Sequence, residues 1–131
     1  HLCEYNCAYA NSGLSDMVKA LKDKPIYPRI RVEGNGKITY AVSCRHCDDP
    51  LCVKSCISGA LAFRDGAVTI DHDRCVGCLT CILVCPYGAI VRGENGVVEK
   101  CELCLKNTSG SPACAAGCPN RAIVYEEAKT E

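Results

Sequence analysis

The run Cys75-Val-Gly-Cys78-Leu-Thr-Cys81-Ile-Leu-Val-Cys85-Pro86 constrains this chain more than any other stretch. Three cysteines at two-residue gaps require a tight loop that aims three sulfurs at one small object. A small residue such as Gly77 lets the backbone come close to it. Pro86 then turns the chain away, because proline has no amide hydrogen to donate and clashes with a continuing helix. The spacing fits a cubane iron–sulfur cluster, with three thiolates around one corner and a remote fourth. Structural zinc takes its ligands from two C-x-x-C knuckles and has no use for a third cysteine at the same step. Disulfides would need seven pairs from the fourteen cysteines, and C-x-x-C-x-x-C is poor geometry for separate bridges.

Three further groups surround this run. "CRHCDDPLCVKSC" contains Cys44, Cys47, Cys52 and Cys56. Cys101 and Cys104 are followed, after nine intervening residues, by Cys114 and Cys118-Pro119. The chain opens on Cys3 and Cys7 alone. In bacterial two-cluster ferredoxins the cysteine that closes a run ligates the other cluster, so ligand exchange between groups is the expectation. "CISGALAF", "CPYGAIVR" and "CPNRAIVY" each place an alanine four residues after a cysteine (Ala60, Ala89 and Ala122). Such repetition marks a duplicated supersecondary unit.

Composition supports a metal-filled interior. Six Tyr, one Phe and no Trp leave few large side chains with which to build a core. Fifteen basic residues balance fifteen acidic ones, which gives no nucleic-acid footprint. Three or four cubanes, each about −2 with its thiolates, would take the loaded protein to roughly −6 to −8. No apolar run approaches membrane-spanning length, and nothing resembles a signal peptide.

Turn signals separate short apolar runs. Asn35-Gly36, Asp65-Gly66 and Asn95-Gly96 each sit between strand-like arms and predict hairpins. "AIVYEE" reads as a last short strand. Each C-x-x-x-C segment predicts one or two helical turns. "GLSDMVKALKDK" (13–24) predicts a longer helix, capped by Ser15 or Asp16 and stopped by Pro25. "KNTSGSPA" (106–113) reads as a polar loop.

With these motifs in place, the chain resembles the four-cluster polyferredoxin subunits of the dimethyl-sulfoxide-reductase iron–sulfur type. Within that group it is most similar to the ferredoxin-like partners of carbon monoxide dehydrogenase and tungsten aldehyde oxidoreductases. "SCRHCDDPLCVKSCISGAL" is the most specific stretch; "RIRV" and "KCELC…PAC…CPNRAI" also fit, and the likeness covers essentially the whole chain. The resemblance implies an α+β fold of two bacterial-ferredoxin-like dicluster modules, with short antiparallel hairpins and short helices around [4Fe-4S] clusters. One module would span 40–92; the other, discontinuous, would combine 1–39 with 93–131. Cluster A would be held by Cys44, Cys47, Cys52 and Cys85. Cluster B would be held by Cys75, Cys78, Cys81 and Cys56. Cluster C would take Cys101, Cys104, Cys114 and Cys7. Cys3 and Cys118 would belong to cluster D, the fourth. The family's first motif has four cysteines, and Cys3 and Cys7 match its third and fourth, so two further ligands are expected upstream of His1. Ile57 stands where the family usually has proline; Ser58 and Gly59 are expected to keep the turn.

The implied function is electron transfer between a catalytic oxidoreductase subunit and another redox carrier or subunit. The partner would be of carbon monoxide dehydrogenase, tungsten or molybdenum enzyme, or hydrogenase type. The chain would not be an enzyme by itself. A free soluble polyferredoxin shuttle and a zinc-binding structural module are the alternatives. No catalytic constellation, phosphate-cradling loop or nicotinamide fingerprint is present, and no nucleic acid or direct membrane span is expected. An anaerobic, cytoplasmic setting fits so many oxygen-sensitive thiolates. His46 is expected to pack or hydrogen-bond near a cluster, and His1 and His72 to be solvated. Arg45, Lys54, Arg74, Lys100 and Lys106 either raise potentials or neutralise surface charge. Tyr87 is expected to shield a cluster from water.

Overall fold

Asx-Gly pairs admit the positive φ angles that tight hairpin turns require, and all three such pairs turn the chain back on itself. The computed structural model describes residues 1–22, 27–107 and 111–127. Strands β1 (Arg31–Gly34) and β2 (Thr39–Val42) pair antiparallel, as do β3 (Leu61–Arg64) with β4 (Ala67–Ile70) and β5 (Ile90–Arg92) with β6 (Val98–Lys100). The loops differ. β3 and β4 are joined by Asp65 and Gly66 alone, at φ +50° and +78°. β1 and β2 need four residues, within which Asn35 Oδ1 accepts the amides of Lys37 and Ile38, each at 3.1 Å.

Among the described residues, five short helices complete the element order: α1 (Leu2–Ala10), α2 (Met17–Lys22), α3 (Leu51–Lys54), α4 (Thr80–Val84) and α5 (Ala113–Ala116). α3, α4 and α5 each carry the third cysteine of a motif, Cys52, Cys81 and Cys114, and α1 carries Cys3 and Cys7. α2 starts at Met17, where the expected cap at Asp16 puts it. Gly13 takes φ +71°, and Asp16 Oδ1 accepts the amides of Val18 (2.9 Å) and Lys19 (3.4 Å). That side chain satisfies orphan donors of the first turn and fixes the start. The predicted stop at Pro25 and the middle of the 106–113 loop lie outside the described residues.

Two apolar clusters hold these pieces. In the first, Leu61, Val68, Ile70, Ile90 and Val98 surround the buried thiol of Cys81, with Cys52, Cys56, Cys75 and Cys85 packed against them. In the second, Cys3 and Cys7 bury against Ile30, flanked by Val32, Ala41, Cys114 and Ile123. Cys3, Cys7 and Cys81 therefore sit inside the cores, and five further thiols pack against them. α1 meets α5 closely: a Cβ added at Gly117 would stand 2.1 Å from Asn6 Nδ2.

The expected final strand does not form; Ala122–Glu127 carries no ladder. A strand needs a partner for its backbone groups, and here no second arm follows at hairpin distance. Ala60 and Ala89 are buried beneath their hairpins, whereas Ala122 is exposed. Among the described residues, no helix is long and apolar enough to cross a membrane.

β4 has one edge turned away from β3, and side chains satisfy it. The Val68 amide donates to His46 Nδ1 at 3.0 Å, and Lys100 Nζ donates to the Val68 carbonyl. The Ile70 amide donates to Glu102 Oε1 at 2.8 Å, and Lys106 Nζ donates to the Ile70 carbonyl at 3.4 Å. The segment carrying Cys101 and Cys104 is thereby fastened to the hairpin that packs against Cys81.

Candidate metal centres

The C-x-x-C loops that open three of the motifs each pass through a left-handed residue just before the second cysteine. These residues are His46 (φ +47°), Gly77 (φ +69°) and Leu103 (φ +54°). The conformation curls the loop around its sulfurs. The amides of His46 and Leu103 donate to Cys44 Sγ and Cys101 Sγ, each at 3.4 Å, and the Arg29 amide donates to Cys7 Sγ at 3.2 Å. At Gly77 a Cβ would lie 2.6 Å from the Gly96 carbonyl oxygen, so this position admits only glycine without rearrangement.

The closing cysteines share a second turn. Gly59, Gly88 and Arg121 are all left-handed, and their amides donate to the carbonyls of Cys56, Cys85 and Cys118, each at 3.3 Å. Ile57, standing where the resemblance leads one to expect proline, keeps this turn. Ser58 Oγ lies 3.6 Å from Cys56 Sγ.

Tertiary folding then gathers thiols from different motifs. Cys44, Cys47, Cys52 and Cys85 line one cavity of about 270 Å³, together with Val68, Tyr87 and Ile90. Cys7, Cys101, Cys104 and Cys114 line another of about 430 Å³, which Cys44 and His46 also border. Cys56, Cys75, Cys78 and Cys81 line a shallow cleft of about 10 Å³, with Cys78 at its exposed lip. Cys3 and Cys118 lie outside these rings; Cys3 is buried on α1. All fourteen cysteines are free thiols.

The thiols feel one another. Burial pushes Cys114 up to about 12, and Cys7, Cys101 and Cys104 add to the rise. Burial takes Cys101 to about 11, against the pull of the Leu103 amide and Lys100. Cys52 is raised first by burial, with Cys44 and Cys85 contributing and Lys100 opposing. Cys81 is raised by burial and by Cys75 and Cys78. Cys78 is instead lowered by the hydroxyl and amide of Thr80.

This donor set fits a polynuclear iron–sulfur group. Crowded, half-buried thiols cannot ionise together unless a strongly positive centre lies among them, and metal binding releases their protons. A single zinc ion would draw four sulfurs to about 2.3 Å from one point. Among the described residues, no three Cys, His, Asp or Glu side chains converge on such a point. Four thiols around each of the 270 and 430 Å³ cavities suit a larger core.

His46 accepts from Val68 at Nδ1 and is held neutral; burial, then the charge of Lys100, lowers its pKa to about 4. His72 is not a freely solvated loop residue: its Nε2 lies 3.2 Å from Glu99 Oε1. His1 pairs with Glu4 at 2.6 Å. Tyr87 borders the 270 Å³ cavity and carries the Arg45 guanidinium 5.8 Å from its ring centroid. Lys54 is an exposed partner of Asp49. The buried polar pair at the centre, Lys100 (0% exposed) and Glu102 (5%), is invisible to motif reading. Its burial comes from β4 and from Arg29, whose guanidinium reaches Glu102 at 3.3 Å and Glu99 at 2.7 Å.

Comparison with known proteins agrees with this donor chemistry. Residues 37–128 match a family model described as a 4Fe-4S dicluster domain. An iron–sulfur protein of Rhodospirillum rubrum is 38% identical, over 94% of this chain and 73% of that protein. The electron transport protein HydN of Escherichia coli K12 is 33% identical, over 93% of this chain and 78% of its own length. A third relative, YnfG of the same strain, is named as an anaerobic dimethyl sulfoxide reductase chain. It is 44% identical over 65% of this chain, which spans 43% of YnfG.

Proposed function

Because this chain belongs to the 4Fe-4S dicluster domain family of iron–sulfur electron-transfer proteins, we propose that it is a multi-cluster conductor between a catalytic oxidoreductase subunit and a second redox carrier. The observation that carries the proposal is the gathering of thiols in fours, each ring combining three cysteines of one motif with one from another.

Cys44, Cys47, Cys52 and Cys85 hold one cluster, Cys56, Cys75, Cys78 and Cys81 a second, and Cys7, Cys101, Cys104 and Cys114 a third. Cys3 and Cys118 give two ligands to a fourth. Bound [4Fe-4S] clusters supply reversible acceptance and release of one electron. The chain's own residues fix where this happens and at what potential. Amides of His46, Leu103 and Arg29 donate to ligand sulfurs and favour the more negative state. Val68, Leu61 and Ile90 keep water away from the rings. The chain is organised as one unit over 40–92 and another formed by 1–39 with 93–131. Residues 56 and 85 exchange ligands within the first unit, and residue 7 reaches across the second. The catalytic partner is of the carbon monoxide dehydrogenase, tungsten or molybdenum enzyme, or hydrogenase class.

Anaerobic purification from the native host tests this reading. Iron and acid-labile sulfide should appear at roughly twelve to sixteen each per chain, four per cluster, with a larger oxidoreductase subunit co-purifying. A colourless protein binding zinc would overturn it. A brown protein that purifies alone and reduces soluble acceptors would favour the free shuttle.

A further inference from the structure

Of the cations near cysteines, Lys100 alone is fully buried. Its ammonium donates to the carbonyls of Val68 and Cys101. Val68 borders the cavity of Cys44, Cys47, Cys52 and Cys85; Cys101 borders the cavity of Cys7, Cys104 and Cys114. Lys100 therefore stands in the wall between two thiol rings and is bonded to both sides of it.

A buried ammonium is costly unless a countercharge accompanies it. The nearby carboxylate, Glu102, is committed elsewhere: it pairs with Arg29 at 3.3 Å and Lys106 at 3.5 Å and accepts the Ile70 amide. Among the described residues, no carboxylate forms an ion pair with Lys100. The partners of Lys100 are neutral carbonyls, and the negative charge that would balance it is the pair of thiolate rings. Its hydrogen bonds reach both, through Val68 on one side and Cys101 on the other. Among the described residues, no hydrogen bond joins it to Cys56, Cys75, Cys78 or Cys81 of the third ring.

We propose that Lys100 is a buried countercharge shared by two cluster sites, raising the reduction potential of both above that of the Cys56–Cys75–Cys78–Cys81 site. This rests on the ligand sets given above. A cation fixed in a low-dielectric wall stabilises each added electron on either side, and little salt reaches it.

The test is anaerobic redox titration of the full-length holoprotein, followed by electron paramagnetic resonance. In Lys100→Met, two couples should fall by tenfold or more in electron-affinity constant, about 59 mV for one electron, with the third unmoved. Lys100→Arg should keep them in place, and Lys54→Met, at an exposed cation, should move none. Unchanged couples in Lys100→Met, or a uniform fall in all of them, overturn the proposal. If the methionine variant does not assemble, Lys100→Gln against Lys100→Arg gives the same comparison. The wild type adds a check: raising salt from about 0.05 to 1 M should leave the two potentials in place, since surface charge is screened over about 3 Å at 1 M. A salt-driven fall overturns the assignment. Iron and sulfide contents, measured on the same samples, report separately on the cluster reading.

Discussion

The amide of Ile70 donates to the carboxylate of Glu102 across 2.8 Å, joining the free edge of β4 to the middle of the Cys101–Cys104 loop. Glu102 is nearly inaccessible and also pairs with Arg29 and Lys106. One carboxylate thus fixes a hairpin, a metal-binding loop and the approach to β1.

Glu102→Ala should destabilise the holoprotein by about 3 kcal/mol, because it leaves a buried amide and a guanidinium short of a partner. For a chain of this length that corresponds to a fall of roughly 10 °C in an anaerobic thermal scan at fixed rate. Glu102→Gln keeps an acceptor for Ile70 and loses only the charge, so its fall should be smaller. Equal effects from the two variants would show that the charge, not the hydrogen bond, holds the loop.

Gly77→Ala tests the loop around Cys75 and Cys78. The left-handed φ alone costs about 1–2 kcal/mol for a residue with a Cβ. The new Cβ also meets the Gly96 carbonyl at 2.6 Å, a backbone atom that cannot swing aside. The variant should lose about one cluster's iron while the others remain. Full iron content in Gly77→Ala would mean that the hairpin loop at Gly96 yields freely.

What was legible in the sequence followed from local chemistry. Asn35-Gly36, Asp65-Gly66 and Asn95-Gly96 encode turns by their own φ preferences, so the hairpins were readable without tertiary knowledge. The helical turns at the C-x-x-x-C segments were equally local. The start of α2 was readable to Ser15 or Asp16, and the reach of the Asp16 carboxylate decides between them. Ala122–Glu127 looked like a strand because its residues favour one, but a strand is made by its partner. Lys100 read as one of five cations that either raise potentials or neutralise surface charge, with nothing to mark it as buried. Its burial is set by Val68, a residue 32 positions away, and no spacing rule carries that. The same limit explains Glu102, which lies inside a motif at a position where any residue type would satisfy the pattern.

Removing the metal should cost the fold, not only the colour. Cys81 lies within the cluster of Leu61, Val68, Ile70, Ile90 and Val98, and Cys3 and Cys7 lie against Ile30. Packing of these side chains presupposes filled rings, and metal binding energy is then folding energy. Chelation under reducing conditions should abolish near-ultraviolet dichroism and cooperative unfolding, with recovery on adding ferrous iron and sulfide. A cooperative transition surviving in the stripped chain would show that the apolar clusters suffice alone.

Ligand exchange between motifs makes a sharper prediction. Cys85 stands just past the helix that carries Cys81, in extended backbone, and it borders the cavity of Cys44, Cys47 and Cys52, while Cys56 borders the cleft of Cys75, Cys78 and Cys81. The proline after Cys85 and the left-handed Gly88 direct that thiol away from its own motif. Cys85→Ser and Cys44→Ser should therefore alter the same magnetic resonance signal, and Cys56→Ser and Cys78→Ser should alter another. Ligation within each motif would instead pair Cys85 with Cys78 and Cys56 with Cys44. The two patterns share no pair, so four single variants and one spectrum of each decide between them.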